Sequence, residues 1–184
     1  KLLKKGGLDQ ATKRIFDDEV MKFVLDDMLV SSGVELLYHA QLCGAKRSGG
    51  KIESINVATK SGVREYQAKI FIDATGDGDL AYYADFKYEK GRSSDNACQP
   101  STLCFRLAGV KTPYNITELR KHMTEVYLEG QKAGRISDPR ENALVFETLH
   151  ADVLHFNTTR VILKDSTLSE DLTSSELMAR KQTE

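Results

Sequence analysis

Apolar positions along this chain change period several times, and each change marks an expected element. Val20, Phe23, Val24 and Met28 recur at helical spacing behind Asp17, Asp18 and Glu19, acids of the kind a helix amino terminus favours, and Gly33 is a natural stop. A helix is expected over 18–32. A strand-like run of Val, Leu and Tyr follows over 34–43, then a glycine turn, a strand over 52–59, a second turn and a strand over 63–68. Ile55, Val57 and Thr59 alternate with Asn56 and Ala58, so this β-meander is expected to cover one face. Ile70, Phe71 and Ile72 form a short apolar run with the composition of a buried strand. A short helix over 79–85 and a polar loop over 87–99 come next. Beyond it the pattern predicts a strand over 101–110 and a helix opened by Asn115 and Glu118, with Ile116, Leu119, Met123, Val126 and Tyr127 as its stripe. Strands over 143–149 and 153–161 read as a hairpin, and Thr173-Ser-Ser-Glu176 reads as a capping box opening a helix over 174–181.

Composition narrows the function classes. The chain has 184 residues, 40% hydrophobic and 29% charged, which is ordinary for a globular protein. Its 26 basic and 27 acidic residues are well mixed and sum to −1, leaving no electrostatic footprint for nucleic acid or an anionic membrane. No apolar run approaches the roughly 18 residues of a membrane span, and Lys1-Leu-Leu-Lys-Lys lacks the h-region of a secretion signal. Three cysteines at wide spacing, Cys43, Cys98 and Cys104, fit reduced thiols in a cytoplasmic protein better than a disulfide framework or a metal site, with Cys104 expected in the core.

The chemistry concentrates where the apolar run of 70–72 ends. Asp73-Ala-Thr leads into Gly76 and Gly78, which alternate with Asp77 and Asp79. Small residues at a strand end let the backbone turn and come close to a ligand. As a dinucleotide fingerprint, Gly76-Asp-Gly-Asp-Leu-Ala81 fits G-x-G-x-x-A, but the acid required about 20 residues on is missing. As a calcium loop from Asp73, the twelfth position is Ala84 instead of a bidentate Glu. A solvated turn between strands is the plain alternative.

A third reading comes from likeness. Phe71-Ile-Asp-Ala-Thr-Gly-Asp-Gly-Asp-Leu-Ala81, Tyr88-Glu-Lys-Gly-Arg92 and Gln99-Pro-Ser-Thr-Leu-Cys-Phe-Arg-Leu107 resemble the FAD-dependent oxidoreductase family, within the glutathione-reductase-like flavoprotein superfamily. Phe16-Asp-Asp-Glu19, Leu25-Asp-Asp-Met-Leu-Val-Ser-Ser-Gly-Val-Glu-Leu-Leu37 and Asn157-Thr-Thr-Arg160 extend the resemblance from about Arg14 to Lys181, with the blocks in the family's order. The resemblance implies a fold between α/β and α+β: the second half of an FAD-binding Rossmann-like domain with a β-meander over 1–95, and part of a mixed-sheet substrate domain over 96–184. It places the strand backbone at Gln41-Leu42 against the adenine, and Ala74, Thr75, Gly76, Asp77, Gly78 and Asp79 near the pyrophosphate and ribityl chain. Asp77 or Asp79 would accept from ribityl or ribose hydroxyls, and Asp73 would tie down the loop.

Arg106, Asn157 and Arg160 are candidates for holding a small-molecule substrate, with His150 and His155 available for acid–base work. The implied activity is flavin-mediated hydride transfer. No separate G-x-G-x-x-G unit opens the chain, so it is expected to be a piece of a longer flavoprotein, inactive and weak in FAD binding by itself. The alternative from another class is a non-catalytic α/β binding or scaffold module that keeps the fold without flavin.

Overall fold

A computed structural model describes residues 5–9 and 15–184. Residues 1–4, at the start of the stretch read for a secretion signal, and Arg14, where the family resemblance begins, lie outside the described residues. Contacts gather into two compact units. One is Gly33–Lys90, and the other joins Lys1–Ser32 to Gly91–Glu184.

In the larger unit, helix α1 (Asp18–Ser31) starts as expected: the Asp17 carboxylate accepts from the Glu19 and Val20 N–H groups at 2.9 and 3.0 Å. Gly33 follows the helix in the left-handed region, φ +75°. Of the expected apolar stripe only Val24 is buried, while Phe23 and Met28 stay exposed.

Strands β1 (Gln41–Ser48), β2 (Lys51–Thr59) and β3 (Gly62–Gln67) make up the sheet of the smaller unit, an antiparallel meander in the order β1-β2-β3. The first strand thus begins near the end of the expected run of 34–43 and continues through it. Helix α2 (Asp79–Tyr83) rests on β1 and buries Leu80, with Ala84 buried just beyond. Arg47 at the end of β1 clamps that helix. Its Nη1 donates to the Ala84 and Asp85 carbonyls at 3.2 and 2.6 Å, and its guanidinium lies 4.6 Å from the Phe86 ring centre. A second departure concerns Ile70-Phe71-Ile72. The run is not a strand, and Ile70 and Ile72 are 79% and 84% exposed. A strand is a pairing arrangement, and this segment has no strand partner among the described residues.

The other sheet contains β4 (Phe105–Leu107), β5 (Val145–Glu147) and β6 (Leu154–Phe156), antiparallel in the order β4-β6-β5. Helix α3 (Ile116–Lys132), capped by the Asn115 side chain, covers one face. Tyr127, Ala143, Val145, Leu154 and Phe156 form the buried core there, with Phe105 stacked on Phe156 at 4.9 Å. Each large side chain buried here contributes roughly 1.5–3 kcal/mol. The Tyr127 hydroxyl donates to the Asp138 carboxylate at 2.7 Å, and burial first, then that carboxylate, pushes the phenol's pKa well up.

All three strands are shorter than the apolar pattern predicts. Beyond Phe156 one backbone bond continues, from the Asn157 N–H to the Leu144 carbonyl, and side chains then take over: Arg140 Nη1 donates to the Asn157 and Thr159 carbonyls at 2.8 and 3.1 Å. The buried Thr159 hydroxyl accepts from Leu103 N–H at 2.8 Å and donates to the Leu103 carbonyl at 3.1 Å. Among the described residues a single bridge, Ser101 to Val161, resumes this pairing. Cys104, expected in the core, is exposed. Helix α4 (Ser169–Lys181) begins one turn before the Thr173-Ser-Ser-Glu176 box, so that box lies inside it, and the Thr173 hydroxyl donates back to the Ser169 carbonyl at 2.7 Å. Both sheets are antiparallel, and the mixed architecture is α+β. No helix among the described residues is long and apolar enough to cross a membrane.

Candidate functional site

The glycine loop is built around Asp73. Its Oδ1 accepts from the Thr75 N–H at 3.0 Å and the Thr75 hydroxyl at 2.7 Å, and its Oδ2 accepts from the Ala81 N–H at 3.0 Å. The Thr75 oxygen in turn accepts from the Asp79 N–H at 2.7 Å. Two amides at the start of α2 are therefore satisfied from inside the loop. Donation from the Thr75 hydroxyl, then from the Thr75 and Ala81 amides, holds the Asp73 carboxyl below its ordinary 3.8. Asp73 is the acceptor that ties the loop down, as its position in the sequence predicts.

What remains open is the outer side. Ala74, Gly76, Asp77 and Asp79 are exposed, and Thr75 and Gly78 are half-buried. A Cβ placed on Gly76 or Gly78 would meet nothing within 4 Å. Gly78 turns the chain at φ +73°, a conformation that disfavours any other residue. The Asp77 and Asp79 carboxylates have no hydrogen-bond or ion-pair partner among the described residues. Leu42 lies apart from the loop in sequence, half-buried in β1 opposite Val57.

A separate cleft of about 750 Å³ lies in the larger unit. Register puts Arg106 of β4, His155 of β6 and Phe146 of β5 in one row, on the sheet face opposite the core. Ile15, Phe16, Leu149 and Val153 add apolar wall. Asp18 Oδ1 sits 3.0 Å from Arg106 Nη2, and that hydrogen bond is the first cause lowering the Asp18 carboxyl. Arg120 reaches in from α3: its Nε donates to the Val145 carbonyl at 2.7 Å, and its guanidinium is 5.6 Å from the Phe146 ring centre.

Of the three residues read as substrate contacts, the structure brings only Arg106 into this cleft. Asn157 offers its carbonyl to Arg140, and its N–H donates to the Leu144 carbonyl. Arg160 points to Pro139 and Glu141, and its backbone exchanges hydrogen bonds with the Gln182 side chain. Alternation along a strand stops being a guide where the strand ends, which here is Phe156.

Comparison with known proteins supplies the class. The profile of a family described as FAD dependent oxidoreductase matches residues 2–184, nearly the whole chain. This chain belongs to the FAD-dependent oxidoreductase family. Searches of curated proteins and of solved structures each returned no match. FAD is thus the family's cofactor, and the function is FAD-linked redox chemistry.

The loop's residues fit that cofactor. Open space over Gly76 and Gly78 admits a phosphate chain against backbone, and two unpartnered carboxylates can accept from sugar hydroxyls. Sequence reasoning missed Arg120 and Phe146. Arg120 reads as one charged position of an amphipathic helix, and nothing local signals that it crosses the edge strand β5 into a cleft. The β5 pattern alone signals Phe146, which falls opposite in phase to the buried Val145.

Proposed function

We propose that this protein transfers hydride between a small-molecule substrate and FAD, with the 74–79 loop against the cofactor's pyrophosphate and ribityl chain. One observation carries the placement: the loop is anchored from within by Asp73 and Thr75, leaving Gly76, Asp77, Gly78 and Asp79 uncovered. In this reading the backbone of Ala74, Thr75, Gly76 and Gly78 allows close approach. Asp77 or Asp79 accepts from ribityl or ribose hydroxyls, where its charge is tolerated beside a pyrophosphate. Leu42 presents the β1 backbone to the adenine. When bound, FAD supplies the hydride chemistry, and the chain supplies position, charge and exclusion of water.

In this reading the FAD side, a Rossmann-like half, lies within 1–95 and the substrate side within 96–184, with Ile15, Phe16 and Asp18 of the first stretch completing the substrate cleft. Arg106 is the substrate contact kept from the sequence, since it alone of the three lines the cleft. Three free thiols suit a cytoplasmic location.

An absorbance spectrum tests the class. The full protein, purified without added cofactor, is expected to carry the near-ultraviolet and blue bands of oxidised flavin, released on heating and bleached by the right substrate. A colourless protein that also refuses added FAD would overturn the proposal in favour of a binding module.

A further inference from the structure

We infer that the cleft of the larger unit receives an organic acid with an apolar or aromatic body, its carboxylate held by Arg120 beside His155. This deepens the reading of the cleft as a substrate site by naming the substrate class.

Charge accounting around the cleft singles out Arg120. Asp17 is committed to capping α1, Asp18 to Arg106 at 3.0 Å, and Glu19 to Lys22 at 2.7 Å. Glu147 of β5 also lines the cleft as an exposed acid; its register partner is Leu154, and its charge acts on Tyr114. Arg120 is half-buried and spends only its Nε, on the Val145 carbonyl. Its Nη groups have no acceptor among the described residues. A guanidinium drawn partly out of water with its planar fork unfilled is a receptor for a two-oxygen anion, since bidentate carboxylate pairing satisfies both nitrogens at once.

The cation is also pre-set. Its Nε bond to the edge strand and the Phe146 ring fix the plane of the group, so little side-chain freedom is lost on binding. His155, whose ring centre lies 6.2 Å from that of Phe146, supplies a further N–H donor in the same row. The apolar part of the wall is Ile15, Phe16, Phe146, Leu149 and Val153, which calls for an apolar body rather than a bare inorganic anion. About 750 Å³ is within the range of small-molecule sites.

Calorimetric titration of the full protein with phenylacetate, phenylacetamide and acetate tests this. Phenylacetate is expected to bind about tenfold more tightly than either analogue, because one lacks the charge and the other the ring. Arg120→Gln should erase the preference for the acid over the amide, and Arg120→Lys should keep part of it. Equal affinity for acid and amide in the unaltered protein, or a preference surviving Arg120→Gln, overturns the assignment. If Arg120→Gln fails to fold by circular dichroism, the ligand comparison in the unaltered protein decides alone. Titrations with and without added FAD separate the two readings: acid preference in a protein that never binds flavin sinks only the redox proposal.

Discussion

Asp73 and Thr75 do their work on backbone amides, and the consequences are residue-sized. Because donation to Asp73 keeps its folded pKa below 3.8, the loop order it supplies is fully present above that ordinary value. It is lost as pH falls through the lower folded value. Exchange protection of the Thr75 and Ala81 amides, followed by NMR, should therefore collapse only below about pH 4. In Asp73→Asn that acid transition should vanish; an unchanged transition would mean another carboxylate holds the loop. The two glycines separate backbone strain from ligand approach. Gly78→Ala must place a side chain at φ +73° and should cost about 1 kcal/mol in denaturant unfolding. Gly76 is not at positive φ and has open space, so Gly76→Ala should melt like the parent yet take up FAD more weakly. Parental FAD affinity in Gly76→Ala would place the cofactor elsewhere.

At the scale of elements, local signals served wherever a bond is made within a few residues. Asn115 caps its helix as read, Asp17 is the one of the acids ahead of α1 that caps it, and the glycine turns of the meander fall where the sequence puts them. The apolar run of 70–72 misleads because burial of a strand needs a partner that composition does not report. Ile72, 84% exposed, has little to lose: Ile72→Lys should change unfolding free energy by less than about 0.5 kcal/mol. A loss of several times that in a urea titration would show the side chain buried in solution. The Thr173-Ser-Ser-Glu176 box fails for a related reason. The helix starts at Ser169, and its first turn is tied to the segment just before it, where the Asp171 carboxylate accepts from the Asp165 N–H at 3.0 Å and pairs with Lys164 at 3.0 Å.

Across the whole molecule, stability is unevenly distributed between the two compact units. Val145, Leu154, Phe156, Thr159 and Val161 are each almost wholly buried, whereas every residue of β3 is exposed. Hydrogen exchange read by mass spectrometry should show slow exchange over 143–161 and fast exchange over 62–67. Comparable rates in both segments would mean that the smaller unit is held by interactions not seen in its own packing.

The order of the helices, the caps of α1 and α3, the meander, the Asp73 anchor and the family itself were legible in the sequence. Each rests on near neighbours in the chain or on motifs in a fixed order. The tertiary structure alone decided how far each strand runs, that Cys104 and Ile72 face water, and that Arg106 lines a cleft with Arg120 and Phe146 while Asn157 and Arg160 do not. Those outcomes depend on which distant segment supplies the next hydrogen bond: Arg140 ends β6, Thr159 clasps Leu103, and Arg120 reaches over an edge strand 25 residues away. No periodicity in the chain encodes such meetings, because they are set by packing between segments and not within them.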